Sequence, residues 1–227
     1  MDLLDNPVWH ALTGPHQKLA EGHPPALRYQ RDVALFSALP DAPGAGAWRA
    51  LRALAGPAGL AALVRADGIA VPDAWSEVGR YPCVQMVATA VAPASADRAV
   101  ALGPDDVGEM LALVARTEPG PFLSRTIELG DYLGVRDDGA LVAMAGERVH
   151  LAGYTEISAV CTDPVYRGRG LASMLVRDLV GRIMDRHETP ILHAMADNTA
   201  AIRLYRAMGF AVRAEFDVVL IRAAPGD

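Results

Sequence analysis

The sequence of 227 residues has little lysine and no excess of positive charge. Lys18 is the single lysine, so arginine supplies the other basic residues, and the formal net charge is −6. A protein whose main partner is duplex nucleic acid normally carries a basic excess, because it must neutralise phosphates. We therefore expect no nucleic-acid partner, although a few arginines can still bind phosphate groups locally.

The sequence also has few cysteines and no long apolar run. Cys83 and Cys161 are too isolated for a disulfide framework, and the six histidines lack the spacing of zinc ligands, so no metal is expected. No run approaches the roughly 20 apolar residues that span a bilayer, and the first residues lack the basic and apolar regions of a signal peptide. These absences predict a cytoplasmic protein with reduced thiols and no membrane partner.

What is present indicates a folded chain of one or two domains, with 52% hydrophobic and 21% charged residues. Prolines and small residues cluster over 91–104 and predict a boundary near residue 98, between halves 1–98 and 99–227. In the first half we predict strands over 27–36, 60–66 and 83–89 and a helix over 47–55. These elements indicate a small α/β half without a ligand motif.

The second half has clearer patterns. Apolar spacing predicts helices over 104–114, 170–186 and 198–208, the last one capped by Asp197 or Asn198 and ended by Gly209. Strands are predicted over 131–136, 141–144, 155–161, 190–195 and 210–222, and an Asp-Asp-Gly turn at 137–139 indicates that the first two form a hairpin. The fold class is therefore mixed α/β.

The stretch over 160–173 carries the most chemical information, because a strand leads through a glycine-containing turn directly into an amphipathic helix. Gly168 and Gly170 allow close approach of the backbone to a ligand, and the unpaired N–H groups of the first helical turn attract anions. Arg167 and Arg169 add full positive charges. The pattern predicts a site for a pyrophosphate.

Two common phosphate motifs fit this stretch poorly. The Walker A pattern requires a lysine that the sequence lacks beyond Lys18. The dinucleotide fingerprint G-x-G-x-x-G matches at Gly168 and Gly170, but its third position is Ser173, and the preceding strands do not form repeated βαβ units.

The stretch Arg167-Gly168-Arg169-Gly170-Leu171-Ala172 resembles the R/Q-x-x-G-x-G/A signature of the GNAT superfamily of acetyl-CoA-dependent N-acyltransferases. The segment from Asn198 to Phe210 is similar to the N-x-x-A-x-x-x-Y-x-x-x-G-F segment of the same family, and 156–162 resembles its splayed strand. The resemblance covers about 104–222. Residues 1–98 resemble the divergent half of a two-domain branch, on layout and the Asp5-Asn6-Pro7-Val8-Trp9 start.

The resemblance implies a twisted mixed sheet with splayed central strands, flanked by helices, and acetyl-CoA as a co-substrate without a metal. It implies that backbone amides of the turn hold the pyrophosphate, and that the splayed strand binds the pantetheine arm. It also implies that an N–H group, that of Val160, faces the thioester oxygen. The coenzyme-binding residues are then Val160, Cys161, Thr162, Arg167, Gly168, Arg169, Gly170, Leu171, Ala172 and Asn198.

Two side chains are candidates for proton transfer. Tyr205 lies on the same helical face as Asn198, and its phenol stays protonated at neutral pH, so it can protonate the departing thiolate. The alternative for Tyr205 is a core tyrosine. Glu156 is a candidate general base whose pKa burial would raise, and its alternative is a structurally hydrogen-bonded carboxylate. Asn198 can also cap its helix.

The acceptor implied by the resemblance is a primary amine of a small molecule or peptide, attacked without a covalent enzyme intermediate. Phe122, Arg125 and Tyr132 are candidate acceptor-binding residues, because they combine aromatic and charged character in one loop region. His193 is expected in the core or at the acceptor site. The oligomeric state is left as monomer or homodimer.

Two other functions stay open at this point. A non-catalytic acyl-CoA-binding or regulatory module would bind the coenzyme without turnover. A purely structural interaction protein would not bind it at all, and would leave the arginine-glycine turn without a purpose.

Overall fold

The computed structural model describes residues 2–56, 59–66 and 68–224. The helices in these ranges are α1 (Pro7–Leu12), α2 (Ala45–Ala55), α3 (Val107–Thr117), α4 (Leu171–Asp185) and α5 (Thr199–Met208). The strands are β1 (Ala20–His23), β2 (Ala26–Tyr29), β3 (Ser37–Ala38), β4 (Leu60–Arg65), β5 (Trp75–Ala88), β6 (Ala99–Leu102), β7 (Tyr132–Asp137), β8 (Ala140–Leu151), β9 (Tyr154–Thr162), β10 (Thr189–Met195) and β11 (Phe210–Ala223).

One large mixed sheet organises the fold, with the strand order β4-β11-β5-β10-β9-β8-β7-β6. The neighbours β9 and β10 are parallel, whereas the other neighbouring pairs of this sheet are antiparallel. A second sheet, β1-β2-β3, is antiparallel and belongs to the first 40 residues. The predicted mixed α/β class is confirmed.

The strand β5 comes from the first half of the chain but lies inside the large sheet. It pairs antiparallel with β10 on one side and with β11 on the other. The strand β4 also joins this sheet, at the edge next to β11. The boundary near residue 98 stays a prediction, and the halves 1–98 and 99–227 share one continuous sheet.

The two faces of the large sheet are covered by different parts of the chain. On one face, α4 and α5 pack their apolar side chains against alternate strand residues, including Leu133, Ile157 and Leu192. On the other face, α3 packs near Met144, and α1 with the first 40 residues packs near Phe216. This alternation follows from strand geometry, in which successive side chains point to opposite faces.

Most predicted elements are confirmed, with differences at their ends. The predicted helices over 47–55, 104–114, 170–186 and 198–208 correspond to α2, α3, α4 and α5, and Asp138 and Gly139 form the predicted β7–β8 turn. The predicted strand over 27–36 is wrong after Tyr29, because the N–H groups of Val33 and Ala34 bond to the Gln30 carbonyl and form a turn. No helix in the described ranges is long and apolar enough to cross a membrane.

Candidate functional site

The strands β9 and β10 separate near the centre of the large sheet. Their parallel pairing begins with Thr189 opposite Tyr154 and ends with Leu192 opposite Ile157. Beyond that pair, both strands continue for several residues without pairing to each other, up to Thr162 in β9. The result is a wedge between the two strands, which confirms the predicted splayed centre. Main-chain groups on the walls of such an opening are available to a ligand.

The β9 wall of this wedge carries a β-bulge. Cys161 pairs with Met144, and Ser158 pairs with Gly146. The two β9 residues between Ser158 and Cys161 therefore lie opposite the single β8 residue between Met144 and Gly146. Ala159, in the bulge, has φ 52° and therefore lies in the left-handed region, which is uncommon for a residue with a side chain. A bulge leaves one residue out of the ladder. It lies at the position where the resemblance expects Val160 to face a thioester.

The turn that follows β9 has the geometry expected of an anion site. Gly168 and Gly170 have φ values of 77° and 75°, and no heavy atom lies within 4 Å of the place where a Cβ would be at either residue. Gly170 is the N-cap of α4, and no side chain caps this helix. The N–H groups of the first turn therefore remain available to an anion, and the helix dipole favours negative charge there.

Two arginines flank this turn. Arg167 Nε lies 3.4 Å from the Thr162 carbonyl oxygen, and the Arg169 guanidinium lies over the Tyr166 ring, 4.8 Å from its centre. The Tyr166 hydroxyl in turn donates to Asp137, at 2.8 Å. Both arginines are exposed, so the turn has positive charge beside it that solvent and ligands can reach.

The residues around the wedge fit a coenzyme with a phosphate group and an amide-containing arm. Thr162 Oγ1 is buried and has no hydrogen-bond partner within the described chain, and it lies at the end of β9, directly before the turn. Buried hydroxyls normally have a partner. A bound ligand that passes from the wedge to the turn would supply one.

The helix α5 follows β10 and confirms one predicted contact. Asn198 is its N-cap, and the side-chain oxygen accepts a hydrogen bond from the Ala201 N–H at 3.1 Å. Tyr205 is 8% exposed and packs edge-on against Phe210, with ring centres 5.9 Å apart. Burial raises the pKa of the Tyr205 phenol to about 12, so it is protonated at neutral pH. Its role as an acid stays a prediction.

Glu156 differs from its predicted state. It is 1% exposed, and Arg148 donates to both carboxylate oxygens, at 3.0 Å from Nε and 2.5 Å from Nη2. Burial raises the pKa of this carboxyl, but the charge of Arg148 and the hydrogen bonds from Arg148 and His193 outweigh burial and hold the pKa well below its usual range. The predicted raised pKa is therefore wrong, and a carboxylate that is kept ionised is a poor proton acceptor.

His193 connects three strands beside this ion pair. Its Nδ1 lies 2.8 Å from Glu156 Oε1, and its Nε2 lies 3.0 Å from the Gln85 side-chain nitrogen. The Gln85 amide is oriented by two other bonds, because it donates to the Leu4 carbonyl and accepts from Arg213. The network therefore indicates that Nδ1 of His193 carries the proton and Nε2 accepts from Gln85. His193 is part of a buried polar network.

The three predicted acceptor-binding residues do not form one surface. Phe122 and Tyr132 are buried and pack edge-to-face, with ring centres 5.5 Å apart. Arg125 is at the surface, where it pairs with Glu128 and Asp32 and thereby ties its loop to the first half of the chain. An acceptor role for these residues stays a prediction, and Arg125 has a structural alternative.

Two surface cavities are lined by residues outside β9, β10 and the glycine turn. One, of about 290 Å³, is lined by Leu102, Tyr132 and Arg182 among others, and one of about 320 Å³ is lined by Asn6, Trp48 and Arg65 among others. In the part of the chain that the structure describes, no group of three or more His, Cys, Asp or Glu side chains is arranged to hold a metal ion.

Comparison with known proteins places these features in a family. A family model described as FR47-like protein matches residues 132–218, which include the wedge, the turn and α5. A crystal structure of a protein from Novosphingobium aromaticivorans, assigned to the GNAT family of acetyltransferases, is 38% identical. It covers 99% of this chain, the chain covers 100% of it, and the TM-score is 0.88.

Two curated relatives match the second half more narrowly. The N-alpha-acetyltransferase RimI of Mycobacterium tuberculosis is 37% identical over 84 residues, which are 35% of this chain and 51% of that protein. The mycothiol acetyltransferase of Mycolicibacterium gilvum is 35% identical over 97 residues, which are 40% of this chain and 32% of that protein. The chain thus spans about half or less of these curated relatives. The full-length similarity, together with the wedge and the glycine turn, shows that this chain belongs to the GNAT family.

Proposed function

We propose that this protein is an enzyme that transfers the acetyl group of acetyl-CoA to a primary amine of a small molecule or peptide. One observation carries the proposal: the uncapped glycine turn at the start of α4 directly follows the strand that forms one wall of the β9–β10 wedge. A coenzyme can therefore place its pyrophosphate on the turn and its arm in the wedge. The acetyltransferase relatives support the same reaction.

The coenzyme would be held mainly by backbone groups. The N–H groups of Arg169, Gly170, Leu171 and Ala172 would bind the pyrophosphate, with Gly168 shaping the turn. Main-chain groups of Val160, Cys161 and Thr162 would bond the pantetheine arm as a neighbouring strand does. Arg167 would add charge at the phosphate end, and Asn198 would contact the arm from the opposite wall. The exposed glycine turn and the β9 bulge support these assignments.

The reaction would be a direct transfer. The nitrogen of the neutral amine attacks the thioester carbonyl carbon, and the carbonyl oxygen gains negative charge that the Val160 N–H stabilises. The C–S bond then breaks and the thiolate of CoA takes a proton from the Tyr205 hydroxyl. The acetylated nitrogen loses its extra proton to water, and Tyr205 is reprotonated from solvent. Glu156 takes no proton, because Arg148 holds it as a carboxylate.

We place this reaction in the cytoplasm, and the two cysteines support that placement. Cys83 and Cys161 are both free and buried, and burial raises the pKa of both thiols. Neither thiol is therefore activated as a nucleophile, which agrees with transfer that has no covalent enzyme intermediate. The oligomeric state, a monomer or a homodimer, stays a prediction.

The test is an isothermal titration of the purified protein with acetyl-CoA. Gly170→Glu places bulk and negative charge in the turn, and we expect it to weaken binding by roughly 100-fold or more, because like charges in contact cost several kcal/mol. Gly153→Glu is the matched control. Gly153 also has a positive φ, of 80°, and open space at its Cβ, but it lies in the turn between β8 and β9, away from the proposed phosphate site.

The outcomes separate the candidate functions. Micromolar binding that only Gly170→Glu removes, with release of CoA when amines are added, supports the proposal. Binding without CoA release for any amine supports the non-catalytic acyl-CoA-binding or regulatory module instead. No binding by the wild-type protein contradicts both functions.

A further inference from the structure

The Tyr132 hydroxyl is a buried polar atom without a partner. Tyr132 is 2% exposed, and its oxygen makes no hydrogen bond within the described chain. A buried hydroxyl that loses its water and gains no partner costs about 1–3 kcal/mol. Such an atom is therefore retained against a stability cost, and a ligand that bonds to it would explain why.

The Tyr132 ring is held in one place by its neighbours. Tyr132 lies opposite Gly146 on β8, and a Cβ at Gly146 would lie 2.2–2.5 Å from three of its ring atoms. The ring thus occupies the space that a side chain at position 146 would need. Phe122 packs against the ring edge-to-face, at an interplanar angle of 81°. The hydroxyl is therefore fixed by packing of the ring and not by a hydrogen bond of its own.

The Tyr132 ring therefore extends from β7 over Gly146 of β8, in the direction of the wedge. Gly146 lies opposite both Tyr132 and Ser158, and Ser158 is the first residue of β9 after its last pair with β10. Tyr132 packs with α3 and Met144, on the face opposite to α4.

The charges near the hydroxyl leave its surroundings close to neutral. Arg148, Glu156 and Glu147 are the charged groups that act on it. Arg148 is neutralised by Glu156, and Glu147 is paired with Arg186 at 2.7 Å. A buried site without net charge favours an uncharged amine over its ammonium form, because burial of an ammonium group without a counter-charge costs free energy. Only the uncharged amine can attack a thioester.

We infer that the Tyr132 hydroxyl binds the attacking amine. Its oxygen accepts a hydrogen bond from one N–H group of the amine and thereby directs the nitrogen at the thioester carbon. This inference rests on the proposed function and adds an acceptor-binding residue to it. Burial raises the pKa of the Tyr132 phenol, so the hydroxyl stays protonated and orients the amine without removing its proton. Phe122 and Gly146 are positioning residues for the ring.

The experiment compares the wild type with Tyr132→Phe. Acetylation of spermidine, glucosamine and a tetrapeptide with a free alanine terminus is followed by CoA release, and kcat/KM is determined for the amine that the wild type uses best. We expect kcat/KM for this amine to fall about tenfold or more, the effect of one lost hydrogen bond at the reacting atom. The Kd of acetyl-CoA should change less than twofold, and Tm should stay equal or rise, because the removed hydroxyl has no partner.

Tyr29→Phe is the matched control. Tyr29 is as deeply buried, but its hydroxyl lies 2.8 Å from His16 Nδ1, so its removal should lower Tm and leave kcat/KM for the amine unchanged. Equal rates for the wild type and Tyr132→Phe, including no transfer by either, overturn the inference. Failure of the proposed function is distinguishable from equal rates of transfer in the two proteins, because the wild type itself would then release no CoA with any amine or would not bind acetyl-CoA.

Discussion

At the scale of single residues, the Tyr205 phenol is protonated at neutral pH and so has a proton to donate. It lies among apolar side chains near Phe210, and burial raises its pKa to about 12, further above neutral pH than its ordinary value. We expect Tyr205→Phe to lower kcat about 100-fold, the lower range for general acid catalysis, with an unchanged Kd for acetyl-CoA. CoA release at saturating substrates measures this change. An unchanged kcat would show that Tyr205 is only a core residue.

The free energy of unfolding depends on the Glu156 carboxylate. Glu156→Gln would leave the partly buried Arg148 guanidinium without its buried counter-charge, and breaking such a pair lowers the free energy of unfolding by about 3–5 kcal/mol. Urea denaturation measures this loss. Glu21→Gln, which breaks the more exposed pair with Arg28, is the control and should cost at most about 1 kcal/mol. Equal losses in the two variants would contradict the role given to the buried pair.

At the scale of secondary structure, Asn198 begins α5 and also lies beside the wedge. Asn198→Ala removes the bond to the Ala201 N–H, and we expect a loss of about 1 kcal/mol in the free energy of unfolding. Asn198→Asp should restore most of that stability, because aspartate caps helices equally well. If Asn198 also contacts the coenzyme arm, the aspartate variant should recover stability but not the affinity for acetyl-CoA. Thermal unfolding and titration together separate the two roles.

At the scale of the whole molecule, the first half of the chain completes the large sheet. A fragment of residues 99–227 would lack β5, and the facing edges of β10 and β11 would lose their shared partner. We therefore expect this fragment alone to show no cooperative thermal unfolding by circular dichroism. Addition of a fragment of residues 1–98 should restore the transition. A cooperative transition of 99–227 alone would support two separable domains.

The packing of the first 40 residues on the large sheet should make stability depend on pH. His16 is buried against Tyr29 and His150, and burial, followed by the charge of His150, lowers its pKa to about 4 from 6.5. The unfolded chain therefore takes up a proton before the folded one, and stability falls as pH falls below 6.5. The expected loss is about 2 kcal/mol between pH 7 and pH 5, above the range in which carboxylates titrate.

Urea denaturation at several pH values measures this dependence, and His16→Asn is the control because asparagine does not titrate. The slope of stability against pH between 7 and 5 should be markedly smaller in the variant. The same slope in both proteins would show that His16 does not contribute.

The sequence alone determined the local features of this protein. The glycine turn after a strand, the N-cap at Asn198 and the apolar stripe of α4 depend on residues close together in the chain, because backbone conformation and helix period are local properties. The positive φ values of Gly168 and Gly170 and the family resemblance could therefore be predicted. The turn after Tyr29 was missed, because the apolar residues on both sides of Gln30, Arg31 and Asp32 fit one continuous strand, whereas Arg31 and Asp32 are exposed and lie in the turn.

Tertiary structure decided what depends on contacts between distant residues. Pairing of β5 between β10 and β11 joins residues more than 100 positions apart, and no local pattern specifies such a neighbour. The protonation state of Glu156 was predicted in the wrong direction for the same reason, since its partners Arg148 and His193 come from two other strands. The space that Gly146 leaves for the Tyr132 ring likewise exists only after the strands pair. The sequence specifies which ionisable and polar groups are present, whereas their charges and roles depend on the distances between them, which exist only in the folded structure.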